Sequence, residues 1–281
     1  MRKRKKILKT ILLYICLIFV AILTLFPLLW GISASLRDDL ELYSYIKPFT
    51  IHTLIPVDFT VKSYVELFTE YGFMTPVINT VIVTGISIIL GCIINSIAAF
   101  SFAMFNFKGK NVIFSLVLLS FMIPFEAIAL PLYKIADGMN MVDTYQGMIL
   151  PCIASGLVLF LFVQFFRDIP PDLLDAARVD GASLPKIYTR ILMPLSKPIF
   201  ITAGLMIFMD QWNSYLWPLL IARSREIRTI QIALTQFSTE HGTAWSALYA
   251  GSMFSALIPL LLFLPLQKYF VQGITSSGVK G

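Results

Sequence analysis

Six long apolar runs constrain this chain more than any other feature of its sequence. Each run holds about twenty residues or more, which is enough for a helix to cross a bilayer about 30 Å thick. Of the 281 residues, 57% are apolar and only 14% are charged, far from the composition of a soluble domain. The sequence therefore predicts an all-α membrane protein with six transmembrane helices. The runs lie at 11–32, 77–103, 112–132, 147–166, 199–221 and 247–266.

A charged stretch at residues 167–198, called here the central loop, separates the fourth apolar run from the fifth. It carries five basic and four acidic residues, so a bilayer core would not tolerate it. Pro170 and Pro171 suit the first turn of a helix, and Gly181 is a natural helix stop. The apolar stripe of this first helix is expected to consist of Leu173, Leu174, Ala177 and Val179.

A second helix is expected to follow the glycine. Ser183 can cap its start, and Pro194 and Pro198 are expected to break the chain before the fifth span. Asp172 and Asp175 meanwhile place negative charge near the positive end of the first helix. The central loop is therefore predicted to be a helix, a glycine turn and a second helix on one face of the membrane.

The central loop resembles the cytoplasmic coupling loop of ATP-binding-cassette importer permeases. That family's pattern is Glu-Ala-Ala, three residues, Gly, and a variable run that ends in Ile-x-Leu-Pro. Here it reads Asp175-Ala176-Ala177, then Gly181, and later Ile191-Leu192-Met193-Pro194. The resemblance implies the type I importer permease fold, in which this helix–turn–helix lies between spans four and five. It assigns the contact with the ATPase to Asp175, Ala176, Ala177, Asp180, Gly181 and Pro194.

Three further motifs are similar to those of carbohydrate importer permeases. They are Val142-Asp143-Thr144-Tyr145, the run from Trp212 to Leu219, and the C-terminal Tyr269–Thr275 together with residues 278–281. The C-terminal motif resembles that of the maltose-type second permease. Together the matches extend over roughly residues 60–281.

The resemblance implies a permease subunit of an ATP-driven, binding-protein-dependent importer of a sugar or oligosaccharide. Its implied partners are a second related permease, a dimer of cytosolic ATP-binding-cassette ATPases, an extracytoplasmic substrate-binding protein and membrane lipid. The chain itself is expected to be no enzyme and to hold no cofactor, because ATP is bound by the partner ATPase. Its sequence has no G-x-x-x-x-G-K-[ST] phosphate loop, and its three cysteines and two histidines have no metal-ligand spacing. Permeases for a polyol or a sugar phosphate, and a secondary transporter, remain alternatives.

The basic residues predict the orientation of the spans. Fifteen of the 22 lie in the N-terminal segment, the turn at 104–111, the central loop or the C-terminus, and seven lie on the other face. The richer face is predicted to be cytoplasmic, so both termini would lie inside a bacterial-type inner membrane. The net charge of +6 is then mainly a topological signal and indicates no nucleic-acid partner. The first apolar run is too long for an ordinary signal peptide and is expected to be retained.

Polar residues inside two apolar runs are candidates for the substrate pathway. Glu126 lies about 21 Å above Val112, and Asp210 about 17 Å above Ile199, if each helix is straight and rises 1.5 Å per residue. Carboxylates at such depths are costly and are expected to face water, a partner helix or a ligand. An interfacial aromatic belt and ties between helices are the alternative explanation. The candidate residues are Glu126, Asp210, Gln211, Trp212, Asn213 and Tyr215.

The sequence predicts one transmembrane domain over residues 1–281. Within it, 1–72 would form the first span and an outer loop, and 73–270 would form the core permease region that contains the central loop. Span two carries small residues that suit close helix packing. These are Gly85, Ser87, Gly91, Ser96, Ala98 and Ala99.

Overall fold

The structure is a computed structural model that describes residues 2–45, 50–239 and 242–278. Its helices begin with α1 (Arg2–Ser35), α2 (Asp39–Ser44), α3 (Lys62–Thr69), α4 (Met74–Met104), α5 (Lys110–Phe121), α6 (Phe125–Gly138), α7 (Tyr145–Ile149) and α8 (Gly156–Arg167). They continue with α9 (Pro171–Val179), α10 (Leu184–Ile187), α11 (Met193–Leu195), α12 (Lys197–Trp212), α13 (Leu216–Ile221), α14 (Ile230–Thr235) and α15 (Trp245–Gly278). Short 3-10 turns occur at Ile51–Thr53, Leu150–Cys152 and Arg225–Ile227, and a π-helical turn occurs at Tyr188–Leu192.

Two short strands are the one departure from helix and coil within the described residues. They are β1 (Ser238–Thr239) and β2 (Gly242–Thr243), which pair antiparallel between α14 and α15. His52 falls in the first 3-10 turn. Three parts of the sequence argument lie outside the described residues: Lys47, one of the seven basic residues of the outer face, His241, one of the two histidines, and residues 279–281 of the C-terminal motif.

Three helices are long and apolar enough to span a membrane: Lys9–Ser35, Met74–Met104 and Trp245–Lys268. Three bent pairs also pass the same test of length and composition when each pair is counted as one span. Their halves bend by 100° between α5 and α6, 46° at the break before α8, and 81° between Leu184–Leu195 and α12. The described residues therefore contain up to six candidate spans, in agreement with the six apolar runs.

Three of the predicted runs are not continuous helices, and one of them, 147–166, bends by 46° between Tyr145–Cys152 and α8. The run at 112–132 breaks at residues 122–124, because Pro124 disfavours helical backbone at the preceding residue and then becomes the N-cap of α6. The run at 199–221 breaks after Trp212, where the Asn213 side chain donates to the Met209 carbonyl at 2.7 Å and ends α12. Sequence hydropathy does not register such breaks, because the residues around them are still apolar.

The backbone divides into two compact units, and the first contains residues 1–73 and 234–258. In it the end of α1 packs on α15, where Trp30 Nε1 donates to Tyr249 Oη at 3.4 Å. Asp39 Oδ1 accepts from the Ser246 amide at 2.7 Å and so places a carboxylate at the N-terminus of α15. In the segment that joins α1 to α2, the side chain of Arg37 is buried, and its Nε lies 3.7 Å from Glu41 Oε1. These polar contacts order the segment that follows the first span.

The second unit, residues 74–233 and 259–281, contains the central loop and its supporting helices. Its largest apolar core is formed by side chains of α4, α8 and α12, among them Phe162, Phe166 and Ile207. Gly91 allows a close approach of α4 to α12, since a Cβ there would lie 2.9 Å from Ile207 Cδ1. The prediction that small residues of span two allow close packing is thus confirmed at Gly91, whereas Gly85 has no such neighbour within 4 Å.

Candidate functional site

The first helix of the central loop is α9, and its ends match the sequence prediction. Pro170 is the N-cap, Pro171 is the first helical residue, and Asp172 lies in the first turn. Gly181 has φ of +74°, as expected for a glycine stop. The amide of Gly181 donates to the Arg178 carbonyl and the amide of Ala182 to the Ala177 carbonyl, both at 3.0 Å. This pair of bonds is the Schellman motif, which fixes the direction of the chain as it leaves the helix.

The apolar stripe of α9 is narrower than predicted. Leu174 and Ala177 are buried against Ile187 of the second helix, but Leu173 is 47% exposed and Val179 is 87% exposed. At 100° per residue, Leu173 lies about 100° and Val179 about 140° around the helix from Leu174. The predicted stripe was wrong at these two positions, because they do not share a face with the buried pair. Two apolar side chains are therefore presented away from the loop's own core.

The acidic residues of α9 are on its surface. Asp175 is exposed and forms an ion pair with Arg178 at 2.9 Å. Asp180 is the C-cap residue and Ala176 is exposed, whereas Ala177 is buried. Of the predicted coupling residues, Asp175 and Ala176 are thus exposed on α9, Asp180 and Gly181 are exposed where it ends, and Ala177 packs beneath them. Pro194 is exposed in α11 and does not belong to this surface of α9.

The second helix of the central loop differs in two details from the prediction. Ser183 occupies the N-cap position, but its side chain makes no capping hydrogen bond. Pro194 does not end the helix, which runs through it to Leu195 before the chain bends at Ser196. A π-helical turn comes immediately before Pro194, and such a turn relieves the steric conflict of a proline ring with an α-helical backbone. Pro198 lies in the first turn of α12.

The π-helical turn connects the central loop to α4. Tyr188 Oη lies 2.6 Å from Ser96 Oγ, and the Tyr188 ring lies 5.6 Å from the Phe100 ring. Ser96 is fully buried, although it lies in the middle of an apolar run. Neither Tyr188 nor Ser96 was predicted as a functional residue. The signal available in the sequence was the pair of polar residues Asn95 and Ser96 within span two.

The predicted pathway residues of α12 fall into two groups. Gln211 and Trp212 are buried, with Trp212 stacked on Phe208 at 5.4 Å between ring centroids. Asp210, Asn213 and Tyr215 are exposed in this chain. The Gln211 amide donates to Asp210 Oδ2 at 3.2 Å, and both residues lie beside Cys152. Asp210 and Gln211 therefore form one polar group beside the break before α8.

Glu126 is not at the height that the straight-helix estimate gave. The helix breaks at residues 122–124, and α6 leaves at 100° to α5, so a count of 14 residues from Val112 does not measure depth. Glu126 lies in the first turn of α6, where a carboxylate is favoured by the helix dipole. Its neighbour Phe125 contacts Trp217 edge-on at 5.9 Å. The role of Glu126 in the pathway stays a prediction.

Another polar cluster fixes the segment that follows α13. Asp143, in the Val142–Tyr145 motif, has φ of +61° and accepts hydrogen bonds from the amides of Arg223 and Ser224 at 2.9 and 2.8 Å. These bonds, above all that from Ser224, lower the pKa of Asp143. Asn79 of α4 donates to the Arg228 carbonyl at 2.9 Å. The motif thus has a structural role that its resemblance alone did not reveal.

The arrangement supplies helices, polar side chains inside candidate spans and a rigid exposed loop. Within the described residues, no three His, Cys, Asp or Glu side chains form a group that could hold a metal ion. A chain with up to six candidate spans and a structured polar loop between two of them belongs to the class of helical membrane proteins. It belongs to the family described as binding-protein-dependent transport system inner membrane component, which matches residues 87–276. It is accordingly an inner membrane component of a transport system, and not an enzyme.

Curated relatives are similar over nearly the whole chain. The arabinooligosaccharides transport system permease protein of Halalkalibacterium halodurans is 35% identical over 94% of each chain. The trehalose/maltose transport system permease protein of Thermococcus litoralis is 31% identical over 99% of each chain. The sn-glycerol-3-phosphate transport system permease protein of Pectobacterium atrosepticum is 31% identical over 94% of this chain and 95% of that one.

One solved structure shows the same fold. A chain of a bacterial ATP-binding-cassette transporter involved in the import of the acidic polysaccharide alginate superposes with a TM-score of 0.83. The superposition covers 95% of this chain and 98% of that chain, at 21% identity. The predicted type I importer permease fold is thereby confirmed.

Proposed function

We propose that this chain is the permease subunit of an ATP-driven importer of a sugar or oligosaccharide. Support for a carbohydrate comes from relatives named for arabinooligosaccharides and for trehalose and maltose. The central loop carries the proposal, because α9 ends in a Schellman turn and presents exposed side chains on a rigid helix. A rigid loop can transmit the motion of a partner, whereas a flexible loop would absorb it.

The complex would contain a second related permease, two cytosolic ATPases and an extracytoplasmic substrate-binding protein. Leu173 and Val179 would pack into the ATPase surface, and Asp175 and Asp180 would meet basic groups around that contact. ATP would be held by the ATPase, so this chain would need no cofactor of its own. ATP binding would then change which of two permease states is favoured, and the substrate would follow by alternating access.

The substrate pathway would include the polar group at the end of α12. Asp210, Gln211 and Asn213 offer hydrogen bonds to hydroxyl groups, and Trp212 or Tyr215 offers an aromatic face. Glu126 would contribute from the first turn of α6. Carboxylates within candidate spans are costly unless water, a partner or a ligand faces them.

Import of a polyol or a sugar phosphate is the second candidate function. It is favoured by the relative named for sn-glycerol-3-phosphate transport. The candidate spans α4 and α15 hold no Lys or Arg before Lys268, and α12 holds none after Lys197. The lack of Lys or Arg near the centres of these spans weighs against a strongly anionic substrate such as a sugar phosphate.

An uptake panel would test the proposed function. The chain would be assembled with its partner subunits in liposomes that enclose ATP and offered arabino-oligosaccharides, maltose, trehalose and glycerol 3-phosphate. Carbohydrate uptake that requires both ATP and the binding protein is expected. Uptake of glycerol 3-phosphate alone would establish the second candidate, and uptake of any solute without the ATPase would refute both.

Both termini and the central loop would face the cytoplasm. The excess of basic residues in those segments supports this orientation. Single cysteines at 105–111, 175–190 and 275–281 are expected to react with a membrane-impermeant maleimide only after the membrane is opened. Cysteines at 50–60 and 238–243 should react in intact cells. Reaction of the central loop from outside would refute the orientation.

A further inference from the structure

A series of hydrogen bonds, linked through adjacent residues of α4, leads from the central loop into the membrane-spanning helices. It begins at Tyr188, whose hydroxyl lies 2.6 Å from Ser96 Oγ. The Ser96 hydroxyl also lies 2.5 Å from the Cys92 carbonyl of its own helix, so it donates a hydrogen bond there and accepts one from the Tyr188 hydroxyl. The loop is therefore tied to α4 by a directed bond to a fully buried side chain.

Asn95, the residue that precedes Ser96 in α4, holds the break between α7 and α8. Asn95 Nδ2 donates to the Ile153 carbonyl at 2.8 Å, and Asn95 Oδ1 accepts from the Ser155 amide at 3.1 Å. These are the backbone groups that an unbroken helix would have paired internally. A single buried side chain thus satisfies both sides of the 46° bend.

The same break lies close to residues of the predicted substrate pathway. Cys152 ends the short 3-10 turn before the break and lies beside Gln211 and Asp210. Gln211 donates to Asp210 at 3.2 Å. The break that Asn95 holds is therefore next to the polar group at the end of α12.

Each end of the series lies in an irregular part of a helix, the π-helical turn at one end and the break before α8 at the other. Irregular helix of this kind can adopt two alternative geometries. A π-helical turn is an underwound turn that holds an extra residue and can shift along a helix, and such turns are frequent at functional sites. The break before α8 is a bend that one side chain holds in place. Rigid helix lies between them, because α4 runs unbroken from Met74 to Met104.

We propose that the Tyr188 hydroxyl is a positioning group that couples the central loop to the break before α8 through Ser96 and Asn95. Movement of the loop against its ATPase would shift Tyr188, displace the buried part of α4, and so change the bend beside Cys152 and Gln211. The proposal rests on the proposed transport function, but the hydrogen-bond series that it needs lies within this chain.

The first experiment uses Tyr188→Phe, which removes the hydroxyl and keeps the ring packed on Phe100. Hydrogen–deuterium exchange of the full permease in nanodiscs would follow the segment 152–156. Its exchange is expected to become about two- to tenfold faster, the range expected for one lost hydrogen bond. The matched control is Thr189→Val, whose hydroxyl bonds only the Pro185 carbonyl of its own helix, and it should leave exchange unchanged.

The second experiment measures coupling in the assembled, reconstituted complex. Tyr188→Phe is expected to lower binding-protein-stimulated ATP hydrolysis and the substrate moved per ATP about two- to tenfold, with basal hydrolysis unchanged. Ser96→Ala should act alike, and the double variant should be no worse than either single variant.

Several outcomes would overturn the series. Unchanged hydrogen–deuterium exchange at 152–156 in Tyr188→Phe would refute the proposed coupling, whether or not the complex transports sugar. Equal acceleration in Thr189→Val would mean general loosening of the loop, and multiplying effects in the double variant would mean that Tyr188 and Ser96 act separately. An unaltered complex that is not stimulated by its binding protein would instead refute the proposed function, and the exchange experiment would still decide the series.

Discussion

Gly181 offers a sharp test of the coupling role of the central loop. Its φ of +74° lies in the left-handed region, where a residue with a Cβ is disfavoured by about 1–2 kcal/mol. Apart from Gly181 and its two chain neighbours, no heavy atom of the described residues lies within 4 Å of the position that a Cβ would occupy. Any cost of substitution within the chain is therefore conformational and not steric.

The expected magnitude follows from that conformational cost. Replacement by Leu should shift the balance between the native turn and altered turns by a factor of about 5 to 30. Asn adopts the left-handed conformation more readily than other residues with a Cβ, so Gly181→Asn should cost less. Leu and Ala are predicted to be equally damaging at this position, and Asn is predicted to be less damaging than either, relative to the native Gly.

The assay is binding-protein-stimulated ATP hydrolysis by the reconstituted complex, with membrane abundance of the permease as the check on insertion. Gly181→Leu should insert normally and lose the stimulation. Gly138→Ala is a suitable control, because Gly138 ends α6 without positive φ and a Cβ there meets nothing within 4 Å. Normal stimulation in Gly181→Leu would refute the coupling role. Damage that grows with side-chain size, with Asn worse than Ala, would show instead that the ATPase approaches this glycine closely.

Three further predictions follow from single contacts. Asp210→Leu should change the apparent affinity or rate of uptake whereas Asp210→Asn, which keeps the shape, should change it less; unchanged uptake in the Leu variant would remove this residue from the pathway. Gly147→Ala should lower abundance and thermal stability, because its Cβ would lie 2.0 Å from the Met141 carbonyl oxygen, and a normal melting temperature would contradict that close contact. The hydrogen bonds to Asp143 lower its pKa, so the ordering of Ser224 should be complete above the usual carboxyl range and be lost as pH falls through the lowered value. Amide exchange at 223–224 should rise only in that acidic window and at all pH values in Asp143→Asn, and equal exchange in both proteins would count against the contact.

Local patterns in the sequence were sufficient for the features that depend on neighbouring residues. The six apolar runs are long because each helix must satisfy its own backbone in lipid, and so they are legible without a structure. Gly181 was predicted to end α9 because only glycine enters the left-handed region freely, and its positive φ confirms this. The family motifs around Asp175 and Trp212 are also local, and family membership of the chain agrees with them.

Features that depend on residues far apart in the chain could be found only in the tertiary structure. Whether Leu173 and Val179 are buried depends on where the second helix of the central loop packs, and hydropathy alone placed both of them incorrectly. Glu126 lost its estimated depth because the chain bends by 100° at residues 122–124: Pro124 marks the break in the sequence, but the direction in which α6 leaves is seen only in the structure. The contact of Tyr188 with Ser96 spans 92 residues, and no local pattern encodes a hydrogen bond between side chains so far apart in sequence. Buried polar groups must find partners wherever the fold brings them, and so the sequence marks such residues as important while the packing of the helices decides what each of them binds.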